Sequence, residues 1–217
     1  MTITKLGHCC LIIDVKGVRI MTDPGAFTVS SHSAIKNIDF ILYTHEHFDH
    51  FHLESLKKIL EVNPGIKIYA NVSVGDILER EKLSYTLLQN GEEASLGEDL
   101  KIRAFGEKHA EIDPSLPASD NIGFFIDERL WYPGDAFTDP KQPVEILALP
   151  VAAPWMKLSE AISYAESLSP KIVFPVHDGI LDKAVRPGLA DSLPRGILGP
   201  KGIEFVYIND GEVKEFY

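Results

Sequence analysis

Six residues, His45-Glu46-His47-Phe48-Asp49-His50, hold the densest chemistry in the chain. They form an H-x-H-x-D-H run that places four metal-ligating side chains close together. Asp39 to Tyr43 (D-F-I-L-Y) precedes the run and reads as a short apolar strand, so the run sits on the loop leaving that strand. A helix would present a histidine pair at i, i+4. His45 and His47 are instead i, i+2, the spacing at which extended backbone points two side chains the same way. These two can then grip one ion, while Asp49 and His50 are displaced enough to reach a second.

Three more candidates stand where apolar runs end. His109 follows Leu100 to Phe105, Asp135 follows Leu130 to Tyr132 within Pro133-Gly134-Asp135, and His177 follows Ile172 to Pro175. Strand-end loops gather at one edge of a sheet and carry ligand sites there. A donor set of His and Asp with no Cys suits a borderline-to-hard divalent ion. The remaining histidines read differently. His32 and His52 are expected to be solvated loop residues. His8 is either a satisfied strand-end histidine or a group near the site.

The elements that must position these residues are mostly short. Ile3 to Leu6, Cys9 to Asp14 and Val18 to Met21 are strand-like, with Lys16-Gly17 as a hairpin turn. A polar loop from Phe27 to Asn37 follows. Leu53, Leu56, Ile59 and Leu60 fall at helical spacing and stop at Pro64-Gly65. Ile66 to Ala70 is a strand, and Val72 to Leu83 a helix weakened by Gly75. Thr86 to Leu88, Leu100 to Phe105, Ile122 to Ile126, Leu130 to Tyr132, Ile146 to Leu149 and Ile172 to Pro175 are further strands. A second helix runs through Leu158, Ile162, Ala165 and Leu168 to Pro170. Asp182 to Pro200 reads as irregular or partly helical. Phe205 to Ile208 and Val213 to Phe216 are expected to close the chain as a hairpin around Asn209-Asp210-Gly211. No linker interrupts this order, so residues 1–217 read as a single domain built of two β-then-α halves.

Composition bounds the function. The chain has 217 residues, 45% of them apolar, which is ordinary for a soluble globular protein with a sizeable core. A net charge of −11 argues against a general nucleic-acid binder and against adsorption to anionic membranes. Cys9 and Cys10 are adjacent, a spacing that rarely bridges, and read as two small strand or core residues. The opening residues resemble no signal peptide, and no apolar run approaches the roughly 20 residues a membrane span needs. Residence in the cytoplasm is the expectation.

Read together, these motifs resemble the metallo-β-lactamase-fold hydrolases, and within them a small subgroup related to the ascorbate-6-phosphate lactonases. The opening Leu6-Gly7-His8-Cys9-Cys10-Leu11-Ile12-Ile13 and Thr22-Asp23-Pro24-Gly25 are similar to that subgroup's start. Thr44 to His50 matches the superfamily motif in full. Asn121-Ile122-Gly123-Phe124 with Tyr132-Pro133-Gly134-Asp135, and Phe174-Pro175-Val176-His177, resemble its later motifs. The resemblance implies an α+β, four-layer αβ/βα sandwich, two facing mixed sheets with helices outside. It implies that His45, His47 and His109 hold a first metal, that Asp49, His50 and His177 hold a second, and that Asp135 bridges. Asp23 would orient a ligand histidine from behind.

The implied activity is that of a dinuclear hydrolase using a metal-bridged hydroxide on a small ester, lactone or phosphoester. Two divalent ions, zinc favoured and manganese or iron as alternatives, bring about +4 of charge against about −3 from two aspartates and a hydroxide. That balance favours a small-molecule substrate with an anionic group. Asp49 is the candidate to take a proton or a hydrogen bond from the nucleophile. Phe27 to Asn37, Glu111 to Asp120 and Ala153 to Lys157 are candidate pocket walls. Trp155 and Lys157 are either substrate contacts or ordinary packing and a solvated lysine. Two other readings share the motif: a mononuclear iron oxygenase of the persulfide-dioxygenase type, and a nuclease of the same fold.

Overall fold

A computed structural model describes residues 1–217. The first sheet holds β1 (Thr2–Gly7), β2 (Cys10–Val15), β3 (Val18–Thr22), β4 (Phe40–Tyr43), β5 (Lys67–Ala70) and β6 (Thr86–Leu87) in that spatial order. The second holds β7 (Glu93–Ser95), β8 (Lys101–Phe105), β9 (Gly123–Ile126), β10 (Leu130–Tyr132), β11 (Ile146–Pro150), β12 (Ile172–Val176) and β13 (Glu204–Phe205). Both sheets begin antiparallel and turn parallel. The change comes between β3 and β4 in the first and between β10 and β11 in the second. The β2–β3 turn at Lys16-Gly17 has positive φ at both residues, the backbone that matches a twisted hairpin.

Helices cover the outer faces. They are α1 (Val29–His32), α2 (Leu53–Val62), α3 (Val72–Arg80), α4 (Leu158–Leu168) and α5 (Leu193–Leu198). Three apolar clusters define the layers. Leu11, Ile13 and Leu42 of the first sheet meet Phe124, Ile126 and Ala148 of the second between the sheets. Ile41, Tyr43 and Ile68 pack outward with Leu56, Ile59, Val74 and Leu78 of α2 and α3. Trp131, Leu147 and Val173 pack outward with Ala161, Ile162 and Ala165 of α4. Strands covered on both faces need no polar alternation, hence the unbroken runs Phe40–Tyr43 and Ile146–Pro150, every residue of which is buried. The result is the four-layer αβ/βα sandwich that the family resemblance implies.

Local chemistry sets the helix limits. Asn71 caps α3, its side chain accepting from Val74 N at 3.1 Å. Gly75 is tolerated in α3 because the Tyr85 ring lies where a Cβ would stand, 2.6 Å from that position. α3 ends at Arg80, short of the Leu83 expected from spacing. α4 stops at Ser169, which adopts φ 48 before Pro170.

Two expectations need correction. The C-terminal strands do not form a hairpin. β13 pairs parallel with β12 in the second sheet, while β14 (Val213–Glu215) pairs antiparallel with β1 in the first. Each of those strands offered a free edge, and local alternation cannot tell a neighbour in sequence from a distant edge. The segment Phe27 to Asn37 is not simply a polar loop. It contains a short 3-10 turn, Ala26–Thr28, followed by α1, which packs on α2.

Candidate metal centre

The seven candidate ligands come together from four loops at one edge of the sandwich. His45 and His47 leave the end of β4 in extended backbone, and their rings lie 4.7 Å apart between centroids. The chain then turns, with His50 N and Phe51 N both donating to His47 O, and enters α2. This turn brings Asp49 and His50 back over the sheet. His109 is fixed by backbone bonding of His109 N to Ser119 O at 3.0 Å. Asp135 follows Gly134, whose φ of 64 and contact with Asn121 leave no room for a Cβ. His177 adopts φ 60 beyond β12, its N donating to His8 O at 3.2 Å.

Ligand atoms gather in three overlapping groups, each with every pair within 4.8 Å. They are His45, His47 and His109; His45, His50 and Asp135; and His8, Cys9, His50 and His177. Asp135 lies between the halves. Its Oδ2 is 3.4 Å from His109 Nε2 and 2.9 Å from His177 Nε2, and its Oδ1 is 3.2 Å from His50 Nε2. Asp49 Oδ2 stands 3.5 Å from His177 Nε2 and 3.9 Å from His50 Nε2.

The outward nitrogens of four of these rings are engaged. His45 Nδ1 meets Thr44 Oγ1 at 2.9 Å, His50 Nδ1 donates to Asp23 Oδ2 at 2.9 Å, and His177 Nδ1 donates to Ala152 O at 2.6 Å. His109 Nδ1 donates to Ala110 O. The inward nitrogens are not. Nε2 of His45, His50, His109 and His177, with Asp135 Oδ1, are buried without an aligned hydrogen-bond partner. A buried polar atom with no partner costs about 1–3 kcal/mol, and five of them aimed at one point would be an expensive accident. Backbone and carboxylate acceptors hold the ring protons on Nδ1, which leaves the Nε2 lone pairs for an ion. The residues therefore fit a divalent metal centre.

Asp23 takes the position expected of it. Its Oδ2 accepts from His50 Nδ1, from Thr44 Oγ1 at 2.7 Å and from Tyr132 OH at 2.6 Å, while Oδ1 accepts from Thr44 N at 2.8 Å. Through Thr44 it also reaches His45. Gly25, two residues on, must be glycine because a Cβ there would stand 1.9 Å from Asp49 O.

Electrostatics follow from burial and crowding. Burial holds His45 well below the usual imidazole range, and burial together with His109 lowers His47. Burial acts against the charged form of Asp135 too, but the charges of His50 and His177 and the hydrogen bonds around it outweigh that and hold it well below the carboxylate range. Burial would lower His50 and His177; Asp135 prevails and raises both. For Asp49, burial is overcome by the hydrogen bond from His8 and by His50, and its carboxyl falls to about 2. The centre thus contains two ionised carboxylates, Asp49 and Asp135.

His8, left open by the sequence, belongs to the site. Gly179 N donates to His8 Nδ1 at 3.2 Å, which puts the ring proton on Nε2, and Nε2 lies 3.1 Å from Asp49 Oδ2 as its donor. Gly179 is required there, since a Cβ would stand 2.9 Å from the His8 ring. Burial pushes His8 down to about 4, so it is neutral at physiological pH. Cys9 and Cys10 are free and buried, as expected of core residues, and burial pushes the Cys9 thiol up to about 12.

Trp155 donates to Asp135 Oδ2 at 2.8 Å, while Lys157 is exposed and its backbone N donates to Glu160 at the start of α4. His32 is not a solvated loop residue. It is fully buried in α1, where Nε2 meets Gly25 O at 3.0 Å, and the reading of its segment as loop hid this. His52 is partly exposed at the start of α2, where Nδ1 meets Ser55 Oγ at 2.7 Å, away from the ligands. Residues that spacing gave no role are Thr44, Tyr132, Asn121 and Ser119. Asn121 Oδ1 accepts from Asp135 N at 3.0 Å, and Ser119 Oγ lies 3.1 Å from His47 Nε2.

Comparison with known proteins agrees with this geometry. A family model described as a beta-lactamase superfamily domain matches residues 2–177. The chain belongs to this superfamily. It is 36% identical over 186 residues to protein Rv0786c of Mycobacterium tuberculosis, covering 83% of this chain and 85% of the relative. A UPF0173 metal-dependent hydrolase of Aeropyrum pernix is 26% identical over 201 residues, covering 82% of each. Among solved structures, a metallo hydrolase of Ignicoccus hospitalis shares the fold with a TM-score of 0.76 at 18% identity, covering 100% of this chain and 99% of that one. No helix of the superfamily domain or its C-terminal extension is long and apolar enough to cross a membrane.

Proposed function

We propose that this metal-dependent hydrolase works with two divalent ions, zinc favoured over manganese and iron, on a small ester, lactone or phosphoester. His45, His47 and His109 would hold one ion, Asp49, His50 and His177 the other, and Asp135 both. The observation that carries the reading is the set of four buried Nε2 atoms gathered around Asp135 without an aligned hydrogen bond. Ions of this kind supply Lewis acidity, polarising a carbonyl or phosphoryl oxygen and lowering the pKa of water to about 7.

The protein's own groups do the rest. Asp23 and Thr44 keep the His45 and His50 protons on the outward side. His8 holds Asp49 Oδ2, leaving Asp49 Oδ1 as the acceptor for a proton from the attacking water. Trp155 steadies Asp135 and closes that side of the site against solvent. Residues 1–217 would act as one domain, without nucleic acid or membrane as partner, and the free thiols Cys9 and Cys10 suit the reducing cytoplasm.

The alternatives use less of what is present. An iron oxygenase of the persulfide-dioxygenase type needs two histidines and one aspartate, which leaves Asp49, His50 and His177 without a purpose. A nuclease would meet a net charge of −11. The test is a panel of esters, lactones and phosphodiesters with zinc, manganese and iron supplied in turn. Turnover by the wild type and its loss in Asp135→Asn are expected. Full activity in Asp135→Asn with both ions retained would contradict the assignment.

A further inference from the structure

Beside the ligands lies a cavity of about 600 Å³, within the range that takes a small organic molecule. His47 and His109 form its inner end, and the segment from Ala110 to Ser119 forms its wall. That wall carries apolar side chains at Ala110, Ile112, Leu116 and Ala118 among polar ones. Ile112 is 42% exposed and Leu116 55% exposed, and Pro114 and Pro117 stiffen the segment between and beside them. Large aliphatic side chains left in water at the mouth of a polar centre mark a surface meant to be covered.

The charge of the wall is equally specific. Its ionisable residues other than the two histidines are Glu111 and Asp113, and no lysine or arginine lines it. The nearest basic residue in sequence, Lys108, is already paired with Asp120 at 2.5 Å. An anionic substrate would gain from the ions but would lie along two carboxylates with no cation to answer it. An uncharged one avoids that repulsion and still offers a carbonyl oxygen.

We infer that the substrate is an uncharged ester or lactone bearing an apolar chain, and that the chain lies against Ile112 and Leu116. The inference rests on the hydrolase reading and narrows it, replacing the anionic substrate expected from the charge of the ions alone. In the reaction, the water oxygen bonds to the acyl carbon and the acyl carbon–alkoxy oxygen bond breaks. One water proton ends on the alcohol oxygen, and the other leaves as the carboxylic acid ionises.

Binding and turnover are measured separately on the metal-loaded protein. Straight-chain alkanols from butanol to octanol are titrated while the Ile and Leu methyl signals are followed by NMR. A buried methylene is worth about fourfold in affinity. The gain per methylene is expected to approach that value, with shifts at Ile112 and Leu116, and Leu116→Ser is expected to bring it below twofold. Hexanesulfonate, with an equal chain and a weakly metal-binding anion, is expected to bind more weakly than hexanol. In parallel, kcat/KM for 4-nitrophenyl acetate, butyrate, hexanoate and octanoate should rise along the series. A flat alkanol series, shifts confined to other residues, or tighter binding of hexanesulfonate would overturn the inference. Esters hydrolysed without regard to chain length overturn it and leave the hydrolase reading standing. An alkanol gradient with no ester or lactone hydrolysed overturns the assignment of substrate; if phosphodiesters are turned over the hydrolase reading stands, and if they are not it falls as well.

Discussion

Asp23→Asn changes one atom and should disarm two ligands. In the native site Oδ2 accepts from Thr44 Oγ1, Tyr132 OH and His50 Nδ1, all buried. An amide nitrogen in that place donates instead. Thr44 can turn its hydroxyl toward His45 Nδ1, but that ring must then carry its proton on Nε2. His50 can meet the amide only by moving its own proton to Nε2. Both protons then sit on the atoms aimed at the centre, where the ligand lone pairs were. Loss of one such orienting partner weakens metal binding about 10- to 100-fold, and with two rings affected the upper figure is expected, about 2.7 kcal/mol. The hydroxyls and His50 can pair again with the amide, but without the carboxylate's charge, so the metal-free protein should lose the worth of one charge-assisted bond, about 1.5–3 kcal/mol. Competition with a chelator gives the affinity, melting of the metal-free protein gives the stability, and ring-nitrogen NMR reports the tautomer. An Asp23→Asn protein that binds metal within twofold of the wild type, with the His50 proton still on Nδ1, would refute the reasoning.

Other perturbations test separate parts of the frame. Lys5 and Asp178 form a wholly buried pair at 2.8 Å that ties β1 to the turn after His177. Lys5→Met leaves the buried carboxylate with only Arg186 Nε, 4.0 Å away, and should cost about 3–5 kcal/mol, seen as a fall of about 10 °C in Tm, with much of the loss restored by adding Asp178→Leu. No recovery in the double variant would mean that the pair does more than neutralise itself. Gly25→Ala forces a Cβ into the Asp49 backbone. It should cost about 3 kcal/mol and reduce metal retention, and a protein with wild-type Tm and metal content would contradict the close packing. His52→Ala should lose about 1 kcal/mol with its bond to Ser55, and no metal; a missing ion there would show that the wrong histidines were chosen.

Much of the fold and the seven candidate ligands could be read from the sequence, because those features are local. The run from His45 to His50 adjoins its strand, and each remaining ligand directly follows an apolar run. What could not be read depends on distant partners. Tyr132 reaches Asp23 only because β10 faces the first sheet, and Asn121 holds Asp135 across a strand pair. Neither residue type carries a signal for such a role. β7 escaped notice because Glu93–Ser95 has no apolar face; its side of the pairing is made by Glu93 with Lys101 and Arg103. His32 was misread with its segment: two short turns of helix rich in serine look like a loop until α1 is seen to pack on α2.

Anomalous diffraction from crystals of protein grown with zinc, collected above and below the metal edge, tests the central claim most directly. The expected map shows two peaks per chain, one among His45, His47 and His109 and one among Asp49, His50 and His177, with Asp135 reaching both. A single peak, or a pair held by other residues, would contradict it.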